Sequence, residues 1–198
     1  MDELILLRHG ETEWSRDGLH TGLTDLPLTP KGEGQARALA PVLEGKSFSL
    51  VLSSPAMRAR RTAELAGLTR YEIDPNLWEW DYGGYEGITT PDIRKQRAGW
   101  YLWRDGVIPG DAGHPGETVE QVGERADKVI ERALQAEGTV VLVAHGHFLR
   151  VLTARWLGLP PQNGRYFKLD TGTVSVLGFE HEEHAIARWN APVSGSPI

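Results

Sequence analysis

Residues 3–14 read ELILLRHGETEW: four apolar residues in a row, then arginine, histidine and glycine. A short apolar run ended by glycine reads as a buried strand giving way to a turn. Arg8 and His9 therefore sit side by side, a cation and a titratable imidazole, where that strand stops. One such pair in a loop is ordinarily only solvated. Its meaning depends on what the rest of the chain brings beside it.

Two further runs resemble the first, FSLVLS at 48–53 and TVVLVA at 139–144. Helical patterns lie between the strands. One is expected from the N-cap pair Thr29-Pro30 to Glu44-Gly45, and another from Ser54-Pro55 through AMRARRTAELAG. A third covers about 118–136, with Val119, Val122, Ala126, Val129, Ile130 and Ala133 at helical spacing, and a fourth covers 148–157. TVSVLGFE and AIARWN read as two edge strands joined by the polar turn HEEH, and the tail APVSGSPI as frayed. Strands alternating with helices predict an α/β fold, a mostly parallel central sheet with helices on both faces. The segment 77–116, rich in Trp, Tyr and Gly, fits neither period. It is expected to be a small insert over the C-terminal edge of the strands, in one domain spanning 1–198.

The chain has 198 residues, 40% hydrophobic and 24% charged, with a net charge of −6 and no cysteine. That charge offers no global field for nucleic acid. The missing cysteine excludes disulfides and thiolate chemistry. No apolar run is long enough to span a bilayer, and the acidic start is no signal peptide. These features predict a soluble cytoplasmic protein without membrane or nucleic-acid partners.

Each of the three strands is followed by basic groups: Arg8 and His9, then Arg58, then His145. Ligands of open α/β sheets bind outside the carboxyl ends of strands. Two guanidinium groups and two imidazoles converging there, in an acidic chain, call for an anion. The planar fork of arginine suits phosphate. The other arginines of RARR at 58–61 read as an exposed helix face. His147 reads as a structural histidine. His145/His147 and His181/His184 are not set in a carboxylate pattern such as His-Glu-x-x-His, so no metal is expected.

RHGETEW, TGLTDLPLTPKGEGQA, SSPAMRARRTAE, WEWDYGGYEG, PGET and VAHGH occur here in the order expected of the histidine phosphatase superfamily, the phosphoglycerate-mutase-like fold. The chain resembles that family from residue 4 to about 180, and most of all its small acid phosphatases and sugar-bisphosphate phosphatases. The resemblance implies a three-layer sandwich and a phosphomonoesterase acting on small phosphorylated metabolites through phosphohistidine, without a cofactor. It implies His9 as nucleophile, Arg8, Arg58 and His145 as the phosphate pocket, and Glu79 as general acid. Between Trp78 and Trp80 a carboxyl group would be partly dry. The residues alone do not choose Glu79 over Asp81 or Glu86. Substrate contacts are expected from Ser15, where the family usually has asparagine, and from Thr21, Gly22, Tyr82 and Gly146. Gly116-Glu117-Thr118 reads as a helix start. Arg104, Arg94 and Lys95 are either contacts for a second phosphate or surface charges.

Two other functions are open. A phosphoglycerate mutase of this family holds the second acidic group with a lysine and paired arginines in the insert. Here YLWRDG puts Asp105 after a single arginine, which would repel a carboxylate. A non-catalytic phosphate sensor would suit a chain lacking the acid or the nucleophile, and both are present. A homodimer is compatible with the sequence.

Overall fold

The computed structural model describes residues 1–193. Its strands are β1 (Leu4–Arg8), β2 (Leu50–Ser53), β3 (Glu72–Ile73), β4 (Val140–Ala144), β5 (Val174–Glu180) and β6 (Glu183–Ala191). Its helices are α1 (Glu13–Asp17), α2 (Pro30–Ala38), α3 (Ala40–Leu43), α4 (Met57–Leu65), α5 (Thr90–Gln96), α6 (Leu102–Asp105), α7 (Val119–Leu134) and α8 (Gly146–Trp156). The strands form one sheet in the order β3-β2-β4-β1-β5-β6. The first four strands in that order run parallel, and β5 and β6 are added antiparallel.

Alternation along β1 sorts its side chains between two cores. Leu4 and Leu6 join Val140, Leu142, α7, α8 and the aromatic insert. Ile5 and Leu7 join Val141, Val143, Leu39 at the end of α2, and the helices α3 and α4. Three layers result, as the alternation of elements predicts. Buried on both faces, β1 and β4 are apolar throughout their length up to Arg8.

Several boundaries differ from expectation. The helix expected over 30–44 divides at Leu39, because Pro41 has no N–H to continue the ladder. The second helix starts at Met57 rather than at Ser54-Pro55. Asp25 Oδ1 accepts from the Met57 N–H at 2.8 Å, while the Ser54 hydroxyl meets His145. The last helix starts at Gly146, two residues early. Ala191 and Val193 pack against the α2–α4 core instead of fraying; residues 194–198 of the expected tail lie outside the described residues. Among the described residues no helix is long and apolar enough to cross a membrane.

Candidate active site

Three neighbouring strands end together. Arg8 pairs with Ala144, the His9 N–H donates to the Ala144 carbonyl at 3.0 Å, and the Ser54 N–H donates to Val143 at 3.0 Å. The ladder thus fixes β1, β4 and β2 in one register, and their last residues face one edge. The cavity there, about 250 Å³, is lined by Arg8, His9, Ser15, Thr21, Glu79, Tyr82 and Gly146 among the expected residues.

His9 is 5% exposed, and its Nδ1 lies 2.7 Å from the Gly10 carbonyl. A carbonyl only accepts, so Nδ1 carries the hydrogen and Nε2 keeps the lone pair of the neutral ring. Burial, then the charges of Arg58 and Arg8, hold the imidazole well below its usual pKa. His9 is therefore a neutral base at neutral pH.

Arg8 gives Nη1 to the Leu169 carbonyl. Its Nε is buried and is the one such side-chain atom without a partner among the described residues. Gly146 permits this placement, since a Cβ there would lie 3.0 Å from the Arg8 Cζ. An unpaired guanidinium donor beside a neutral nucleophile is a place for an anion.

Arg58 and His145 are wholly buried and do not line the cavity. Protein acceptors hold Arg58. Its Nη1 donates to Thr24 at 2.9 Å, its Nη2 to Gly22 at 2.9 Å, and its Nε to His145 Nδ1 at 3.2 Å. Accepting at Nδ1 leaves Nε2–H of His145 to donate to Ser54 Oγ at 2.7 Å. The His145 ring meets His9 edge-on at 5.1 Å, with Trp78 stacked 6.4 Å away. Burial and Arg58 push the His145 pKa well down.

Glu79 is the single carboxylate lining the cavity. Its Oε1 accepts from the N–H groups of Trp80 (2.9 Å) and Phe148 (2.8 Å), and its Oε2 from that of His147 (3.0 Å). The carboxylate thus sits on the first turn of α8, where free N–H groups favour negative charge. Asp81 instead accepts from Gly83 and Gly116, and Glu86 from Gly22 and Thr24. Of the three, Glu79 lines the cavity and the other two do not. Glu117 does not reach the cavity; it pairs with Arg125 at 2.8 Å.

The remaining expected residues have protein partners of their own. Gly22 does not line the cavity, because its N–H is turned to Glu86 at 2.9 Å. The Ser15 hydroxyl lines it but donates to the Thr12 carbonyl at 3.0 Å, within the cap of α1. Arg104 faces a different hollow, about 620 Å³, and is paired with Asp105 at 2.7 Å. Lys95 pairs with Asp92, and Arg94 donates to the Trp100 carbonyl.

His20, Thr90 and Arg150 are not among the residues expected from the sequence, and His147 reads there as structural; all four line the cavity. Arg150 had a signal: it lies four residues after Gly146, on the same face of α8. His147 meets the Tyr82 hydroxyl at 2.5 Å through Nδ1, and burial then Arg150 keep it neutral. Burial raises the Tyr82 hydroxyl well above its usual pKa. Among the described residues no three His, Asp or Glu converge as metal ligands.

The sequence profile of the histidine phosphatase superfamily (branch 1) matches residues 4–192, and the chain belongs to that family. It is 42% identical over 188 residues to an acid phosphatase of Mycobacterium tuberculosis, covering 93% of this chain and 90% of that protein. It is 39% identical over 191 residues to the sedoheptulose 1,7-bisphosphatase of Saccharomyces cerevisiae, covering 80% and 68%. The solved structure of a functionally characterised M. tuberculosis open reading frame superposes with a TM-score of 0.89 at 40% identity, covering 98% of this chain and 99% of that one.

Proposed function

We propose that this protein is a phosphomonoesterase that hydrolyses small phosphorylated metabolites through a phosphohistidine on His9. One observation carries the reading: His9 keeps a free Nε2 lone pair in a cavity that Arg8 also lines, and the buried Nε of Arg8 has no protein partner among the described residues. Family membership and relatives named as phosphatases support it.

In the first step the His9 Nε2 bonds to phosphorus as the ester P–O bond breaks, and Glu79 gives a proton to the leaving oxygen. The free lone pair of Oε2 is the one through which that proton passes, since Oε1 accepts two N–H bonds and Oε2 only one. In the second step water attacks phosphorus, Glu79 takes its proton, and the N–P bond breaks. Ester and water become alcohol and phosphate, and both side chains return to their starting states. Arg8 binds the phosphoryl oxygens directly. Arg58 and His145 act from behind, by charge and by fixing the imidazole array.

The cavity volume suits a small metabolite. Arg150, with Nε and Nη2 given to Gly164 and Arg165, is the cation available for a second anionic group, a role left open in the sequence between Arg104, Arg94 and Lys95. A sugar bisphosphate fits that reading, and the mutase reading lacks a basic cluster at the insert. We place the enzyme in the cytoplasm, acting on small-molecule esters.

The test is Glu79→Gln. An alkyl phosphate should slow by about 10²–10⁴-fold, the usual worth of general acid catalysis. An aryl phosphate with an acidic phenol should still phosphorylate His9, and the labelled enzyme should accumulate on alkaline quenching. Equal slowing of both esters with no trapped intermediate would overturn the assignment.

A further inference from the structure

Glu86 lies outside the cavity, yet its carboxylate grips the loop that holds Arg58. Oε1 accepts from Gly22 N–H at 2.9 Å and Thr24 N–H at 3.1 Å, and Oε2 from Gly22 N–H at 3.0 Å. The carbonyls of the same two residues accept the Arg58 guanidinium, each at 2.9 Å. Donors of the loop therefore face Glu86 and its acceptors face Arg58, so the loop is a plate clamped between an anion and a cation. Gly22 is needed for this approach. A Cβ there would lie 2.6 Å from the Trp80 carbonyl and 2.8 Å from Glu86 Oε2.

The chain continues inward. Arg58 Nε donates to His145 Nδ1, His145 packs edge-on against His9, and Arg58 is one of the two charges opposing a proton on His9. We infer that Glu86 is a positioning residue for the reaction, acting through the 21–24 loop to aim Arg58 at the His145–His9 pair. No contact to substrate is involved, since Glu86 does not line the cavity. The inference rests on the proposed phosphatase reading. If the wild-type protein releases no phosphate from any ester, that reading fails first.

A double-mutant cycle tests it, using an aryl phosphate with a good leaving group so that slow variants stay measurable. Glu86→Ala should lower kcat by about 10²-fold, the scale of an ångström's misplacement, with KM little changed. In an Arg58→Ala background the same substitution should cost less than about threefold, because its target is gone. Equal losses in the two backgrounds would overturn the inference, as would a loss confined to KM or no loss in kcat. If Glu86→Ala fails to give the native circular dichroism spectrum, Glu86→Gln takes its place in the cycle. That variant keeps the shape but turns an N–H toward the Gly22 N–H, and the same outcomes decide.

Discussion

The two ring nitrogens of His9 have separate tasks: Nδ1–H is tied to Gly10, and Nε2 is left for chemistry. Burial, and then the positive charge of Arg58 and Arg8, keeps the ring unprotonated. Because the reactive form is the neutral one and its pKa is lowered, activity toward an aryl phosphate should persist as pH falls below 6.5. Corrected for ionisation of the ester itself, the acid limb of kcat/KM should lie well under that value. Arg58→Ala removes one of the opposing charges, so the limb should move to higher pH. A limb near 6.5 in the wild type, or one that Arg58→Ala leaves in place, would contradict this account. At this scale the strand-end residues are legible in the amino-acid sequence, because a polar residue that ends a buried apolar run has few places to go. Glu79 is not, because Asp81 and Glu86 share its local sequence and only backbone donors from α8 tell them apart.

Among the elements, α2 does more than cover the sheet. Its N-cap Thr29 accepts from Gly32 N–H at 3.0 Å and donates to Glu11 Oε1 at 3.0 Å, docking the helix on the turn that follows His9. A Cβ on Gly32 would come within 2.1 Å of the Glu11 carbonyl, whereas one on Gly34 meets nothing within 4 Å. Gly32→Ala should therefore destabilise by about 1–3 kcal/mol, as overpacking does, and lower activity through the displaced turn. Gly34→Ala, on the exposed side, should stabilise by up to about 1 kcal/mol. Urea unfolding of both variants checks the pair, and opposite signs are expected. Caps and apolar spacing make most helices legible, but the break at Leu39 depends on weighing Pro41 against a continuous pattern. β3 leaves no trace in the sequence: Glu72 and Ile73 are both exposed, and their pairing with β2 has no hydrophobic signature.

For the whole molecule, three histidines near the site are folded in as neutral groups. His9, His145 and His147 all have pKa values well below the ordinary range, with burial the largest cause. Below pH 6.5 the unfolded chain takes up protons that the folded chain refuses, so stability must fall as pH falls. Each group contributes a slope approaching about 1.4 kcal/mol per pH unit in that window. Unfolding midpoints at pH 7.5 and 5.5 should differ accordingly, and His147→Asn should flatten the dependence. The aromatic insert is recognisable in sequence only as irregular. Its placement depends on distant contacts, such as the Trp80 indole N–H on the Glu117 carbonyl at 2.8 Å and the Asp81 carboxylate on Gly116 N–H at 2.8 Å. The unpartnered Nε of Arg8 has a last consequence, for product inhibition. A buried donor left unmade costs about 1–3 kcal/mol, and any tetrahedral oxyanion that fits removes that cost, including the inorganic phosphate each turnover leaves behind. Orthophosphate should therefore raise the melting temperature, by the amount equivalent to about 2.7 kcal/mol at a hundred times its Kd, and should compete with substrate. Arg8→Met should abolish the thermal shift, and an enzyme so built slows itself as its own product accumulates.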